Sequence, residues 1–204
     1  MIRTDVMRNR FPALAISLLA ALAAEQARAE VIDLAMDGWH TWRVAAADNA
    51  PDWCCFQWNR GIASTGECDL DGRQINYGSS RDNPTGPGEM QIYALVDDGS
   101  VVQIRTMSPS CPVKTRIPVF DLGAIDGQQS INWLEREIAP KSRMSSHALA
   151  AISVHERNVA IDTLVKVIEN RGASNDNRKQ ALFWLANTDS NEAFAYLDRV
   201  LSQH

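Results

Sequence analysis

The spacing of apolar positions changes character once along the chain. Between Glu30 and about Ile125 it is the short, alternating, aromatic-rich pattern of β-strands. Met90–Val96 and Val101–Met107 flank Asp97-Asp98-Gly99-Ser100, and the Asp-Gly step supplies the positive φ angles of a tight hairpin. Trp39–Val44 and Trp53–Trp58 read as two further strands, and Arg116–Phe120 as a last short one. Gly78–Gly88, built of Gly, Ser, Pro, Asn and charge, reads as a loop.

After Asp126 the apolar period becomes helical. Asp126 and Gln129 form a capping box, Ile131, Leu134 and Ile138 share one face, and Pro140 ends the segment. A second helix is expected over Ser145–Val154 with Ala148, Leu149 and Ile152 inward. A third is expected over Asn158–Glu169 with Ile161, Leu164, Val165 and Ile168 inward, stopping near Gly172. A fourth, Asn177–Ala186, should bury Ala181, Leu182 and Leu185. Asp189 and Glu192 should cap a fifth, whose Ala193, Leu197, Val200 and Leu201 close the core. The fold class implied is α+β: a small disulfide-stapled antiparallel β region over residues 30–125, followed by a short α-hairpin array over 126–204.

That array contains a repeat. Residues 149–169 align without a gap onto 182–202 at an offset of 33, placing Leu149 on Leu182, Ile152 on Leu185, Ala160 on Ala193, Leu164 on Leu197 and Ile168 on Leu201. A period of this size is what stacked helical pairs produce. Arg178-Lys179-Gln180-Ala181-Leu182-Phe183-Trp184-Leu185-Ala186-Asn187-Thr188, followed by Asp189 to Ala193, resembles the HEAT-like repeat of exported bacterial proteins. Leu149–Glu169 is similar to the preceding repeat, so the resemblance covers residues 144–204. Trp53-Cys54-Cys55 with Cys68-Asp69-Leu70-Asp71-Gly72 is similar to exported proteins that place a cysteine-bearing β region before such repeats. The resemblance implies a scaffold for protein contact, with no shared catalytic residue and no cofactor. Few repeats are present, whereas about three are needed for a stable stack. The ends therefore need cover, and the first helix, carrying Trp133, is expected to pack the array against the β region.

The N-terminus changes the compartment. Arg3, Arg8 and Arg10 precede the apolar run Phe11–Ala24 and the small-residue pattern Ala27-Arg28-Ala29, which together read as a signal peptide over residues 1–29. The run is too short to span a bilayer, and no later segment is long and apolar enough to do so. The expected location is periplasmic or secreted. Cleavage removes four arginines against Asp5 and Glu25, moving the net charge from −5 to −7, which leaves no basic footprint for nucleic acid.

All four cysteines, Cys54, Cys55, Cys68 and Cys111, follow the cleavage point, and an even number in an oxidising compartment reads as two disulfides. Three pairings are possible. Neighbours on a strand point to opposite faces, which favours different partners for Cys54 and Cys55. A Cys55–Cys68 link would close a loop of about 14 residues, worth roughly 3 kcal/mol by chain entropy. Zinc, with His40 as a further ligand, is disfavoured because adjacent ligands lack the usual spacer.

Catalytic signals are thin. His147 and His155 lie near the ends of one short helix and read as surface histidines, and Ser145-Ser146-His147 places its members where they do not face each other. Asp69-Leu70-Asp71-Gly72 and Asp97-Asp98-Gly99 carry turn chemistry, and Gly86-Pro87-Gly88 lacks the rest of a phosphate loop. Trp39, Trp42, Trp53 and Trp58 read as sheet core, with a carbohydrate platform as the alternative. Phe183 and Trp184 must occupy different helix faces, so one packs and the other is available. With Arg178 and Lys179 a turn earlier, they form the candidate contact patch for an unidentified protein partner. The functional expectation is a non-enzymatic binding module in an envelope-sensing or signalling assembly; the alternatives are a small-ligand or carbohydrate binder using the tryptophans, or an enzyme with its site between the two regions.

Overall fold

A four-stranded sheet with helices on one face and a disulfide-stapled layer on the other organises the molecule. The computed structural model describes residues 32–48, 50–59, 62–72, 77–80, 88–140 and 142–202; residues 1–29, read as a signal peptide, lie outside these. The strands are β1 (Gly38–Ala45), β2 (Asp52–Asn59), β3 (Ile62–Gly66), β4 (Cys68–Asp69), β5 (Tyr77–Ser80), β6 (Glu89–Asp97), β7 (Ser100–Met107), β8 (Val113–Lys114) and β9 (Val119–Ala124). The main sheet has the order β7-β6-β1-β9, with β9 running parallel to β1 and the other pairs antiparallel. β2 is flanked by β3 and β5, while β4 and β8 form a short parallel pair.

Alternation along the strands divides the apolar material between the two faces. Trp42, Val44, Met90, Ile92, Ala94 and Ile104 point to the helices and share one core with them. Trp39, Tyr93 and Met107 point the other way and pack with Leu70 and all four cysteines. The β6–β7 hairpin turns as expected on Asp98 and Gly99, both at positive φ. Two strands differ from expectation. Tyr77–Ser80, whose last three residues were read as the start of a loop, pairs antiparallel with Asp52–Cys55 as an edge strand, where the ladder from β2 compensates for weak Gly and Ser propensity. The last strand lies at Val119–Ala124, three residues beyond the expected start: the Arg116 and Ile117 amides are taken by Asp71 and Thr115 Oγ1, and the ladder to β1 begins where the Trp39 amide donates to the Pro118 carbonyl. Gly38 is required at that crossing: its φ is 139°, and a Cβ there would stand 2.9 Å from both the Phe120 ring and the Pro118 oxygen.

The disulfides are Cys54–Cys111 and Cys55–Cys68, so the two neighbouring cysteines reach separate partners. Their sequence separations of 57 and 13 correspond to about 4 and about 3 kcal/mol of chain-entropy stabilisation. Asp71 completes this layer by accepting from Trp39 Nε1 at 3.0 Å, Thr115 Oγ1 at 2.6 Å and the Arg116 amide at 2.8 Å. Slight burial raises its pKa, but the hydrogen bonds from Thr115, Arg116 and Trp39 outweigh that and hold the carboxyl below the usual range.

The helices are α1 (Gly127–Arg136), α2 (Met144–Ser153), α3 (Arg157–Glu169), α4 (Asn175–Ala186) and α5 (Asn191–Leu201). Asp126 caps α1 by accepting from the Gln128 and Gln129 amides. Trp133 meets Trp42 edge-on at 5.1 Å, so α1 does seat the helical layer on the sheet. α2 packs on β7, α3 on α2, and α4 on both α2 and α3, while α5 lies on α4. Among the described residues, no helix is long and apolar enough to cross a membrane.

Three helical expectations are corrected. Ser190, not Asp189, caps α5, because its Oγ reaches the Ala193 amide while Asp189 occupies the preceding turn at positive φ. Leu182 and Leu201 are exposed instead of closing the core, since no element among the described residues covers them. Tyr196 takes the inward position on α5 with Ala193, leaving Leu197 and Val200 half-buried.

Candidate contact surface

The repeat-matched positions of the two helical hairpins have different surroundings. In α2–α3, Leu149 is fully buried and Ile168 is 9% exposed. Their counterparts in α4–α5, Leu182 and Leu201, are 37% and 77% exposed. Phe183 and Phe194, each 54% exposed, lie on the same hairpin. On α4, Lys179, Leu182, Phe183 and Ala186 recur at i, i+3, i+4 and i+7 and form one exposed stripe. On α5, Phe194, Leu197 and Leu201 recur at the same spacing. Burying a large apolar side chain is worth roughly 1.5–3 kcal/mol, so such a row left to solvent is the informative departure from ordinary surface.

The four candidate contact residues separate into two pairs. Lys179 and Phe183 are exposed on the α4 stripe. Trp184 turns inward, with its ring 5.5 Å from Trp53 of β2 and 5.0 Å from Phe183. Arg178 is half-buried, and its Nε donates to the Ile168 carbonyl at 2.8 Å, satisfying a backbone acceptor at the end of α3. Thus Arg178 and Trp184 dock the hairpin, while Lys179 and Phe183 face outward. Phe194 and Leu201 belong to the same exposed set; Leu201 was read as core and Phe194 was not singled out. Arg199 lies over the Tyr196 ring at 5.1 Å, which positions its charge at the C-terminal end of α5.

His155, expected at the surface, is fully buried beyond the end of α2. Its Nδ1 lies 2.8 Å from the Ala151 carbonyl, which can only accept, so Nδ1 carries the proton. Nε2 then accepts from Ser130 Oγ at 2.9 Å, and Ser130 Oγ accepts from Trp42 Nε1 at 2.9 Å. This chain ties β1, α1 and α2 together without reaching solvent. Burial, opposed by backbone hydrogen bonds at Ala151 and Ile152, pushes the His155 pKa down to about 4. The Ser130–His155 pair is therefore a structural node, closed to substrate.

The tryptophan alternative loses much of its material, because Trp39 and Trp42 are buried in the two cores and Trp53 packs on Trp184. An open cleft of about 470 Å³ lies where Ala46–Asp48 meets Glu156–Asn158 and Ser190–Glu192, the starts of α3 and α5. Its lining contains no histidine or cysteine, and Ser190 Oγ is engaged in capping α5. Comparisons of the chain with protein-family models, curated proteins and solved structures give no match in any of the three.

Proposed function

We propose that the protein is an exported binding scaffold, periplasmic or secreted, that presents the α4–α5 hairpin of a HEAT-like array to another protein, in an envelope-sensing or signalling role. The observation that carries this reading is the exposed set Leu182, Phe183, Phe194 and Leu201, three of whose members match buried positions, Leu149, Ile161 and Ile168, in the preceding repeat. Two disulfides support an oxidising compartment. A rigid seat supports a presenting role: Trp184 against Trp53 and Arg178 on the Ile168 carbonyl hold the hairpin to the body of the fold.

Site-specific photo-crosslinking in the native cell tests the reading. The full chain with p-benzoylphenylalanine in place of Phe183 should yield an adduct with another protein. The same group in place of Val102, exposed on β7, should not. Absence of an adduct specific to position 183 would remove the proposal.

A further inference from the structure

Trp53 and Cys54 are neighbours on β2, and strand geometry sends them to opposite sides. Trp53 packs against the helical core, with its ring 5.5 Å from Trp184 of α4, while Cys54 lies in the second core and is bonded to Cys111. The turn that carries Cys111 also holds the Trp53 backbone. The Ser108 amide donates to the Trp53 carbonyl at 2.8 Å, and the Trp53 amide donates to Ser108 Oγ at 3.0 Å. We propose that the Cys54–Cys111 disulfide is a redox latch on the α4–α5 hairpin: a dithiol reductant opens it while Cys55–Cys68 persists, and its opening loosens the seat that Trp53 gives Trp184. Loosening there reaches the exposed face directly, because the Phe183 ring lies 5.0 Å from that of Trp184. The latch acts within the chain and does not depend on what docks at that face.

In the exchange, a thiolate of the dithiol bonds to one sulfur of the pair and displaces the other as a thiolate, which takes up a proton. The second thiol of the reductant then displaces the remaining sulfur, leaving Cys54 and Cys111 as thiols and the reductant as a disulfide. Two electrons and two protons pass from the dithiol to the protein. Exposure is nearly equal at Cys54, Cys55 and Cys111, at 8%, 6% and 6%, so the difference between the two disulfides comes from what holds their ends. Cys55 pairs on the β2–β3 ladder with Gly66, two residues before Cys68, and the fully buried Cys68 donates its amide to the Pro112 carbonyl at 2.8 Å. A thiolate released from that pair stays beside its partner and recloses the bond, expelling the reductant. Cys54 pairs instead with Gly78 of β5, lies 57 residues from Cys111, and keeps its link to the Cys111 turn through the Ser108 bonds to Trp53. There the reductant completes the exchange. Because Cys55–Cys68 and the β4–β8 pair keep the layer assembled, an oxidant can restore the same bond.

The test uses the purified protein with both disulfides formed, titrated with dithiothreitol under native conditions. Alkylation followed by peptide mass spectrometry should find Cys54 and Cys111 labelled at about a tenth of the reductant concentration that labels Cys55 and Cys68. Over that range, amide exchange along α4 and α5 should quicken about threefold to tenfold while α1 and α2 keep their protection. Trp53→Leu should exchange faster from the start and respond no further to the reductant, because the ring that transmits the change is gone. The double variant Cys54→Ser, Cys111→Ser should exchange at the reduced rate with no reductant present, and if it does not fold, the titration of the folded parent decides. Reduction of Cys55–Cys68 first, or of both disulfides together, would overturn the latch. So would selective reduction that leaves α4–α5 exchange unchanged, or that quickens it equally in Trp53→Leu.

Discussion

The two helical repeats carry matched residues in opposite circumstances. The α2–α3 hairpin lies among α1, β7 and α4, and its N-cap residues, Arg143 and Glu156, make no side-chain bond to the first turn; Ser142 Oγ and Asn158 Oδ1 accept from the Met144 and Val159 amides instead. The α4–α5 hairpin closes the array, and both its helices are capped, by Ser174 Oγ on the Asn177 amide and Ser190 Oγ on the Ala193 amide. The corners differ as well. His155 is buried and bonded to Ser130, whereas Thr188, its counterpart at the same offset, returns its hydroxyl to the Leu185 carbonyl one turn back. A helix enclosed by neighbours draws most of its stability from tertiary packing and does without a side-chain bond from its N-cap residue. A terminal hairpin with fewer neighbours stabilises itself locally and keeps an apolar row available.

Truncating matched leucines should give the largest contrast. Leu149→Ala removes a fully buried side chain and should cost about 2–5 kcal/mol, whereas Leu182→Ala, partly in solvent already, should cost less than about 1 kcal/mol. Urea unfolding of the two variants measures the difference. Ile168→Ala against Leu201→Ala repeats the comparison on the other helix of each pair. Equal losses within either pair would break the contrast, because they would mean that the second repeat is as enclosed as the first.

Acid should act through the corner of the first repeat. Above pH 6.5 His155 is neutral in folded and unfolded chains, and the node contributes fully. Between pH 6.5 and about 4 the unfolded chain takes up a proton that the folded site refuses, so stability should fall by about 3 kcal/mol and level off below that range. His147, whose pKa is lowered by burial and secondarily by Arg105, slopes in the same direction, so the assignment needs a variant. His155→Gln should flatten most of this stretch in urea midpoints measured against pH. A slope unchanged from the parent would place the acid sensitivity elsewhere.

What was legible in the sequence follows the distinction between local and tertiary causes. The β6–β7 turn, the Asp126 cap and the helices themselves rest on short-range chemistry, and all are present. The separation of Cys54 from Cys55 followed from strand geometry, but the choice of Cys111 for Cys54 depended on how β2 lies against the segment after β7. His155 was misread because nothing local distinguishes it; Ser130, which donates to it, lies 25 residues away in sequence, and Trp42, which donates to Ser130, lies 88 residues further. On the candidate surface, Phe183 and Trp184 had to take different faces, and the helix period alone required that. Which of the two turned inward depended on Trp53 in the β region. Leu201 was assigned to the core by its period, yet a period identifies a face and does not say whether another element covers it.

The smallest expected effect bears on the caps. Ser174→Ala and Ser190→Ala each remove an acceptor from a first-turn amide and should cost about 1 kcal/mol. Arg143→Ala and Glu156→Ala remove no such bond and should leave the first repeat within about 0.5 kcal/mol of the parent. Amide hydrogen exchange separates the mechanisms. If the second hairpin is stabilised locally, Ser190→Ala should speed exchange along α5 while α2 and α3 keep their protection, because α5 rests on α4 and opens without unseating the core beneath it. If exchange instead rises across all four helices, the terminal hairpin is cooperative with the body of the fold. Its exposed row would then be presented on a surface as rigid as the first repeat, and a partner would bind without first having to order it.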